Sequence, residues 1–201
     1  MRLWSVLLAS LWLGACAAPV SFPESITPEE QSRQQQLLKE IEAWRLQGRI
    51  AIINGVEAWH LNVDWLQRQD DYRIDLWGPF GSGRVRLQGD EQGVRLIDSE
   101  QQIYYASDPE SLLYEHTGVK MPVSGLRYWI LGLPDPHYDQ QQSRRDAAGR
   151  LASVQQENWQ VAIKSYNRIG SLDLPAKLSV DRHDLRVKLV VDDWQVNNVS
   201  P

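Results

Sequence analysis

Apolar side chains recur along this chain with two different periods, and the point where the period changes divides it. Thr27-Pro28-Glu29-Glu30 combines an N-cap residue, a proline at the first helical position and a capping-box glutamate, which together predict a helix start. Leu37, Leu38, Ile41 and Trp44 then fall on one face at helical spacing, while Gln34, Gln35, Lys39 and Glu42 stay polar. Beyond this amphipathic helix the period drops to two. Leu46, Ile50 and Ile52 alternate up to Asn54-Gly55, a strong signal for a type I′ hairpin turn, and Trp59, Leu61, Val63 and Trp65 alternate after it. The pattern continues through Tyr72, Ile74 and Leu76, through Val85 and Leu87, through Val94 and Leu96, and through Ile103 and Tyr105. Polar turns such as Gly89-Asp90-Glu91 separate these runs.

Two short helices interrupt the alternation. Asp108-Pro109-Glu110 starts a segment carrying Leu112, Leu113 and His116 up to Gly118, and Ser124 is placed to cap a second segment with Leu126, Trp129 and Ile130 that stops at Gly132. The polar stretch from Pro136 to Gly149 reads as an exposed loop. Strands resume at Leu151–Gln156, turn at Glu157-Asn158 into Trp159–Tyr166, and continue at Lys177–Val180 and Leu185–Val191 before Trp194. About ten strands and three helical segments define an α+β chain, with a strongly curved antiparallel sheet wrapped around helices. If the sheet curls into an incomplete barrel, its concave face and the helices enclose an apolar space. Periodicity does not say whether side chains or a ligand fill that space.

The first residues follow another logic. Arg2 precedes an uncharged apolar run, Leu3 to Leu13, which is too short to span a bilayer and has the form of a secretory leader. Leu13-Gly14-Ala15-Cys16 resembles the bacterial lipobox, which implies cleavage before Cys16 and its modification by S-diacylglycerol and an N-acyl group. Residues 1–15 are then a lipoprotein signal peptide and 16–26 a lipidated N-terminus and tether. In such lipoproteins an Asp after the cysteine retains the protein at the inner membrane; Ala17 in that position points to the outer membrane.

Composition narrows the chemistry. Cys16 is the only cysteine, so no intrachain disulfide forms, and the formal charge of −5 argues against a nucleic-acid partner. Nine Trp and seven Tyr stand against two Phe, an aromatic set with polar tips that suits both a Trp-rich core and apolar-to-wet boundaries. No Gly-x-Ser-x-Gly elbow and no His-Glu-x-x-His occurs, and His60, His116, His137 and His183 are scattered, so neither a catalytic constellation nor a metal site nor a cofactor is expected. Asp70-Asp71 and Asp192-Asp193 read as solvated turn residues.

One loop stands out. In Trp77-Gly78-Pro79-Phe80-Gly81-Ser82-Gly83 a large apolar side chain sits among residues that favour a sharply turning, exposed backbone. Phe80 either folds back as a plug on the core or presents an apolar tip to a membrane or partner.

The lipobox leader, the amphipathic first helix, Gly78-Pro79-Phe80-Gly81-Ser82, Thr117-Gly118-Val119-Lys120-Met121-Pro122 and above all Leu126-Arg127-Tyr128-Trp129-Ile130-Leu131-Gly132-Leu133-Pro134 resemble the outer-membrane lipoprotein receptor LolB family. The resemblance runs in order over the mature chain. It implies an open antiparallel barrel lidded by helices, with 27–201 as a single lipoprotein-binding domain whose cavity takes the acyl chains of lipoproteins. It also implies the periplasmic carrier LolA as partner, acylated lipoprotein as cargo and outer-membrane phospholipid as destination, with the protein a lipid-anchored monomer facing the periplasm. In the family the loop matching Pro79, Phe80 and Gly81 protrudes and carries an apolar residue, commonly Leu, that serves delivery into the membrane. The expected acyl-chain lining is Trp59, Leu61, Val63, Trp65, Ile74, Leu76, Leu87, Leu96, Leu126, Trp129 and Ile130. A cell-envelope enzyme with its active site in the barrel, and a scaffold with a filled core, are the competing expectations.

Overall fold

A computed structural model describes residues 27–197; the leader, Cys16 and the tether expected over 16–26 lie outside the described residues. Helix α1 (Pro28–Lys39) starts where the capping box predicts: Thr27 Oγ1 accepts from the Glu30 N–H at 3.2 Å, and the Glu30 carboxylate accepts from the Thr27 N–H at 2.9 Å. It ends sooner than the apolar stripe suggested. Ile41 lies past its end and Trp44 belongs to strand β1 (Ala43–Asn54), so the stripe crossed a helix–strand junction. None of the α1 residues is buried.

β1 and β2 (Glu57–Arg68) form a hairpin in which Asn54 pairs with Glu57. The turn is therefore Gly55-Val56, one residue beyond the expected Asn54-Gly55. Gly55 has φ 60° and Val56 does not join it at positive φ, the pattern of a type II′ rather than a I′ turn. This register sets Ile52 opposite Trp59, Ile50 opposite Leu61 and Leu46 opposite Trp65, all on one face. The sheet continues through β3 (Asp71–Trp77), β4 (Val85–Asp90), β5 (Gly93–Ile97) and β6 (Ile103–Ala106).

Helix α2 (Pro109–Thr117) is capped by Asp108 and closed by Gly118 at φ 71°, as expected. Helix α3 (Val123–Trp129) departs from expectation, because Ser124 lies inside it. The α2 residue Glu110 instead brings a carboxylate to the new helix, accepting from the Ser124 N–H at 2.7 Å and from its hydroxyl at 3.3 Å. A cap supplied across two helices leaves no local sequence signature. The stretch from Pro136 to Gly149 contains strand β7 (Gln140–Arg145), which pairs with β8 (Leu151–Gln156) and is followed by β9 (Trp159–Ile169), β10 (Leu172–Arg182) and β11 (Leu185–Asn197).

Among the described residues all eleven strands form one antiparallel sheet in the order β6-β5-β4-β3-β2-β1-β11-β10-β9-β8-β7. The first and last strands of the chain are thus neighbours at its centre, and the free edges belong to the consecutive strands β6 and β7. The sheet is curved but not closed. The β1–β11 seam slips register between Gln47 and Gly48. A Cβ on Gly48 would stand 2.2 Å from the Val190 carbonyl oxygen, so the strands approach here only because that residue is glycine. The slip also places Asp192 in a strand rather than the expected turn, where its carboxylate takes Arg49 at 2.8 and 3.1 Å.

One face of the sheet is apolar and meets α2 and α3 through Leu112, Leu113, Val123, Leu126, Trp129 and Ile130 in one continuous cluster. The other face carries cross-strand ion pairs such as Arg45–Asp64 and Arg86–Asp75. Arg45 holds the Asp64 carboxyl below the usual carboxylate range. Trp44, Trp65, Trp129, Trp159 and Trp194 are buried, in keeping with a Trp-rich core.

The connection from α3 to β7 is fastened by a single side chain. Gln156, fully buried, accepts from Trp129 Nε1 at 2.8 Å and from the Asp135 N–H at 2.9 Å, and donates to the carbonyls of Asp135 and Tyr138 at 2.7 and 3.0 Å. A buried polar group left unpaired costs about 1–3 kcal/mol, and four groups depend on this amide. Gln156→Leu is expected to lower the unfolding free energy in urea by about 3 kcal/mol or more, whereas Gln160→Leu, at an exposed position of β9, changes it by less than about 0.5 kcal/mol.

Candidate functional site

Two features outside the ordinary core are built by this frame, one at each end of the sheet. The loop between β3 and β4 contains a single 3₁₀ turn, Pro79–Gly81. It is held by its own backbone: Gly78 N–H donates to the Ser82 carbonyl at 2.8 Å, Ser82 N–H to Pro79 at 3.3 Å, and the Ser82 hydroxyl to the same Pro79 oxygen at 2.9 Å. At its tip Phe80 is fully exposed, at 109% of its reference area, and lies in the left-handed region with φ 58° and ψ 19°. A bulky residue there is strained, and a strained backbone held in a cross-braced loop is characteristic of functional positions. The plug alternative is thereby overturned. Arg84 closes the base of the loop, stacked 4.9 Å over the Trp77 ring. A second fully exposed apolar residue, Val56 at 103%, occupies the tip of the β1–β2 hairpin; its signal, an apolar residue beside a turn glycine, was present in the sequence but not singled out.

The opposite end opens into a cleft of about 740 Å³ between α1, the start of β1, the β2–β3 turn and the α3–β7 connection. Leu38, Ile41, Trp44, Tyr128, Leu131 and Leu133 supply its apolar walls. Its rim carries both signs of charge, with Lys39, Arg127 and Arg145 facing Glu42, Asp135 and Asp139. Arg127 ties α3 to the β2–β3 turn, donating to the Gln69 carbonyl at 2.9 Å and to Asp70 at 3.0 Å. Burial raises the Tyr128 and Tyr138 phenols above their ordinary values, so both stay neutral at physiological pH. A volume in this range suits a ligand chain rather than a solvent pocket.

The eleven residues expected to line an acyl-chain cavity are brought together, but not around open space. Val63, Trp65, Ile74, Leu76, Leu87, Leu96, Leu126, Trp129 and Ile130 are buried, Trp59 and Leu61 half-buried, and all belong to the cluster between sheet and helices. None of them lines the open cleft. In this form of the molecule their own side chains fill the interior. Sequence reasoning missed the cleft because its walls come from element ends and connections, where no period operates. Among the described residues no group of His, Cys, Asp and Glu is placed to hold a metal, and no helix is long and apolar enough to cross a membrane.

An incomplete antiparallel barrel with helices across its concave face is a fold this chain shares with solved structures of the LolA superfamily class. The chain superposes on a LolA superfamily protein from Nitrosomonas europaea with a TM-score of 0.53 at 6% identity, covering 85% of this chain and 94% of that one. A putative outer membrane lipoprotein-sorting protein domain from Vibrio parahaemolyticus gives 0.50, also at 6% identity, over 86% and 93%. Sequence narrows the class further. Residues 42–194 match the family model described as outer membrane lipoprotein LolB. The Outer-membrane lipoprotein LolB of Nitrosococcus oceani is 39% identical over 96% of both chains, and that of Pseudomonas aeruginosa strain LESB58 is 36% identical over 97% of this chain and 96% of its own. The chain belongs to the LolB family.

Because Phe80 makes no buried contact, removing its side chain relieves strain without opening a cavity. Phe80→Gly is expected to raise the unfolding free energy by about 1 kcal/mol, measured by urea titration; a loss of stability would show that the residue packs.

Proposed function

We propose that this protein is the outer-membrane receptor that takes lipoproteins from the periplasmic carrier LolA by binding their acyl chains and inserts them into the outer membrane. The observation that carries the reading is the pairing, on one lidded half-barrel of the LolB family, of an apolar interior with a rigid loop that holds Phe80 in solvent. Residues 1–15 act as the leader, Cys16 carries the lipid anchor, 16–26 tether it, and 27–201 form the lipoprotein-binding domain of a monomer. Two or more buried chains on Cys16 hold the protein on the bilayer stably, which one chain would not. Family membership favours this transport role, which breaks no bonds in its cargo, over an envelope enzyme.

Magnitudes support the mechanism. A triacylated cargo exposes some forty or more methylenes, roughly 0.8 kcal/mol each, so its release into water costs tens of kcal/mol. Passage between two apolar interiors leaves that large quantity nearly cancelled. A difference of only about 1.4 kcal/mol between carrier and receptor then directs the transfer tenfold. The acyl chains enter at the cleft beside Trp44 and Tyr128 and replace the contacts that α2 and α3 make with the apolar sheet face from Trp59 to Leu96.

A soluble form lacking Cys16, mixed with LolA loaded with labelled lipoprotein, is expected to acquire the label; its failure to move overturns the reading. Phe80→Glu is expected to accept cargo at the wild-type level and to deliver it to liposomes roughly ten- to a hundredfold less well, since one buried Phe is worth about 1.5–3 kcal/mol. Equal loss in both steps would make Phe80 a structural residue.

A further inference from the structure

The end of the sheet that carries Phe80 holds more than one loop. Strand pairing sets the β1–β2 hairpin, with Val56, beside the β10–β11 turn, since Asn54 pairs with both Glu57 and Leu185 and the Gly55 N–H donates to the Asp184 carbonyl at 3.1 Å. The Phe80 loop leaves β3 at Trp77, which pairs with Asn62 on the same hairpin. Its tip is therefore stepped back along the strands and displaced sideways, the stagger expected where strands tilt against a barrel axis. Val56 and Phe80 thus stand on one rim.

Single exposed apolar residues need no explanation, but the form of this rim does. Both tips exceed their reference exposure, and the turn that carries Phe80 packs against strand β2 of the hairpin that carries Val56. Two separated projections would require two matching pockets on a protein partner, whereas a bilayer receives them without any complementary shape. Beside Val56 lies a cleft of about 400 Å³ floored by Met121, Pro122 and Trp159; its border carries Lys120 and Arg182, whose guanidinium stacks 5.1 Å from the Trp159 ring, together with the carboxylates of Glu110 and Asp184. Cations over an aromatic, apolar floor are the residue types of a membrane interface, with the charge at headgroup level and the ring below it.

We infer that this rim is the surface that docks on the phospholipid bilayer, with Val56 as a second insertion point alongside Phe80 and with Lys120 and Arg182 facing lipid phosphates. The inference rests on the proposed membrane-delivery role of Phe80 and extends it to the whole end of the barrel. It also orients the molecule: with the rim on the bilayer, the cleft at Trp44 and Tyr128 faces away from the membrane, open to an incoming carrier. The anchor permits this. Helix α1 borders the cleft, at the far end from the rim, and eleven residue steps separate Thr27 from Cys16. Those eleven steps reach at most ~3.3–3.6 Å each, roughly 36–40 Å. A twelve-residue strand such as β1 is about 40 Å long and shorter in projection once tilted, a distance within the contour length of those eleven steps.

The test uses the full-length lipidated protein in vesicles of phosphatidylethanolamine and phosphatidylglycerol. Because Cys16 is the only cysteine and its thiol carries lipid, Val56→Cys, Phe80→Cys and, at the far end, Ser171→Cys each offer one thiol for an environment-sensitive fluorophore. Brominated lipids are expected to quench the labels at 56 and 80 several-fold more than the label at 171. Quenching at 80 without quenching at 56 overturns the inference and leaves the proposed function standing; quenching at neither position removes the membrane role of both. In parallel, Val56→Asp, on a side chain that contacts nothing, is expected to slow delivery into these vesicles about tenfold with acceptance from LolA unchanged. Impaired acceptance with normal delivery would assign the hairpin tip to the carrier and overturn the docking surface.

Discussion

The pairing of the first strand with the last determines what the rest of this molecule can be. Once β1 and β11 lie side by side at the centre of an antiparallel sheet, the free edges fall to β6 and β7, strands adjacent in sequence but at opposite margins in space. The chain between them must cross the concave side to connect them. Helices α2 and α3 lie on that crossing, so the lid is a consequence of the topology rather than an addition to it. The seam itself depends on Gly48, where any side chain would strike the Val190 carbonyl. Edge strands are open to unwanted pairing, and β7 is defended by Arg144 and Arg145 and by two register shifts.

A lid imposed by topology need not be held tightly. Helix α3 has seven residues and helix α2 buries only Leu112 and Leu113. Isolated helices this short are marginal, so both persist through their contacts with the sheet and with each other. Two polar devices fix their geometry: Glu110 capping α3, and Gln156 gripping Trp129 and the backbone beyond it. Burial pushes the Glu110 carboxyl up, while the Ser124 donors oppose that shift. Apolar contacts are interchangeable with acyl chain, since one hydrocarbon surface replaces another at little net cost; the directional hydrogen bonds are not. An interior filled by Ile74, Leu87 and Trp129 and an interior that admits lipid are therefore compatible states of the same walls, with the polar fasteners setting how far the lid returns.

The sequence was legible wherever one face of an element is buried. Alternation placed Ile50, Trp65, Ile74 and Leu96 correctly because each strand faces the core on one side only. It failed where local pattern is not what decides. Ile41 and Trp44 fitted a helical stripe that the backbone abandons after Lys39, and the Ser124 cap was replaced by a carboxylate fourteen residues away. Strand β7 is polar because it is an edge, so its alternation carried no apolar signal. The Asp192 bulge arises from a partner strand far off in sequence. For the site, a tip such as Phe80 could be seen in the residues that surround it, whereas the cleft has walls assembled from separate connections. Its Trp44 and Leu133 become neighbours only through the fold.

The strain at Phe80 carries a further implication. Glycine occupies left-handed backbone readily, and both Gly81 and Gly83 do so in this same loop, at φ 81° and 57°. The tip alone places a bulky side chain there, at a conformational cost with no packing to offset it. Burying one Phe returns about 1.5–3 kcal/mol, far below what the acyl chains proposed on Cys16 would contribute in a bilayer. The loop cannot be the anchor, and its rigidity is of no use to an anchor, which needs only greasy area. Rigidity does matter to a group that must enter the membrane at a set position relative to the mouth of a barrel. In the proposed role the cross-braced Gly78–Ser82 turn serves the geometry of delivery: the lipid anchor proposed at Cys16 keeps the protein at the surface, and the held-out ring fixes where on that surface the barrel end meets the acyl layer.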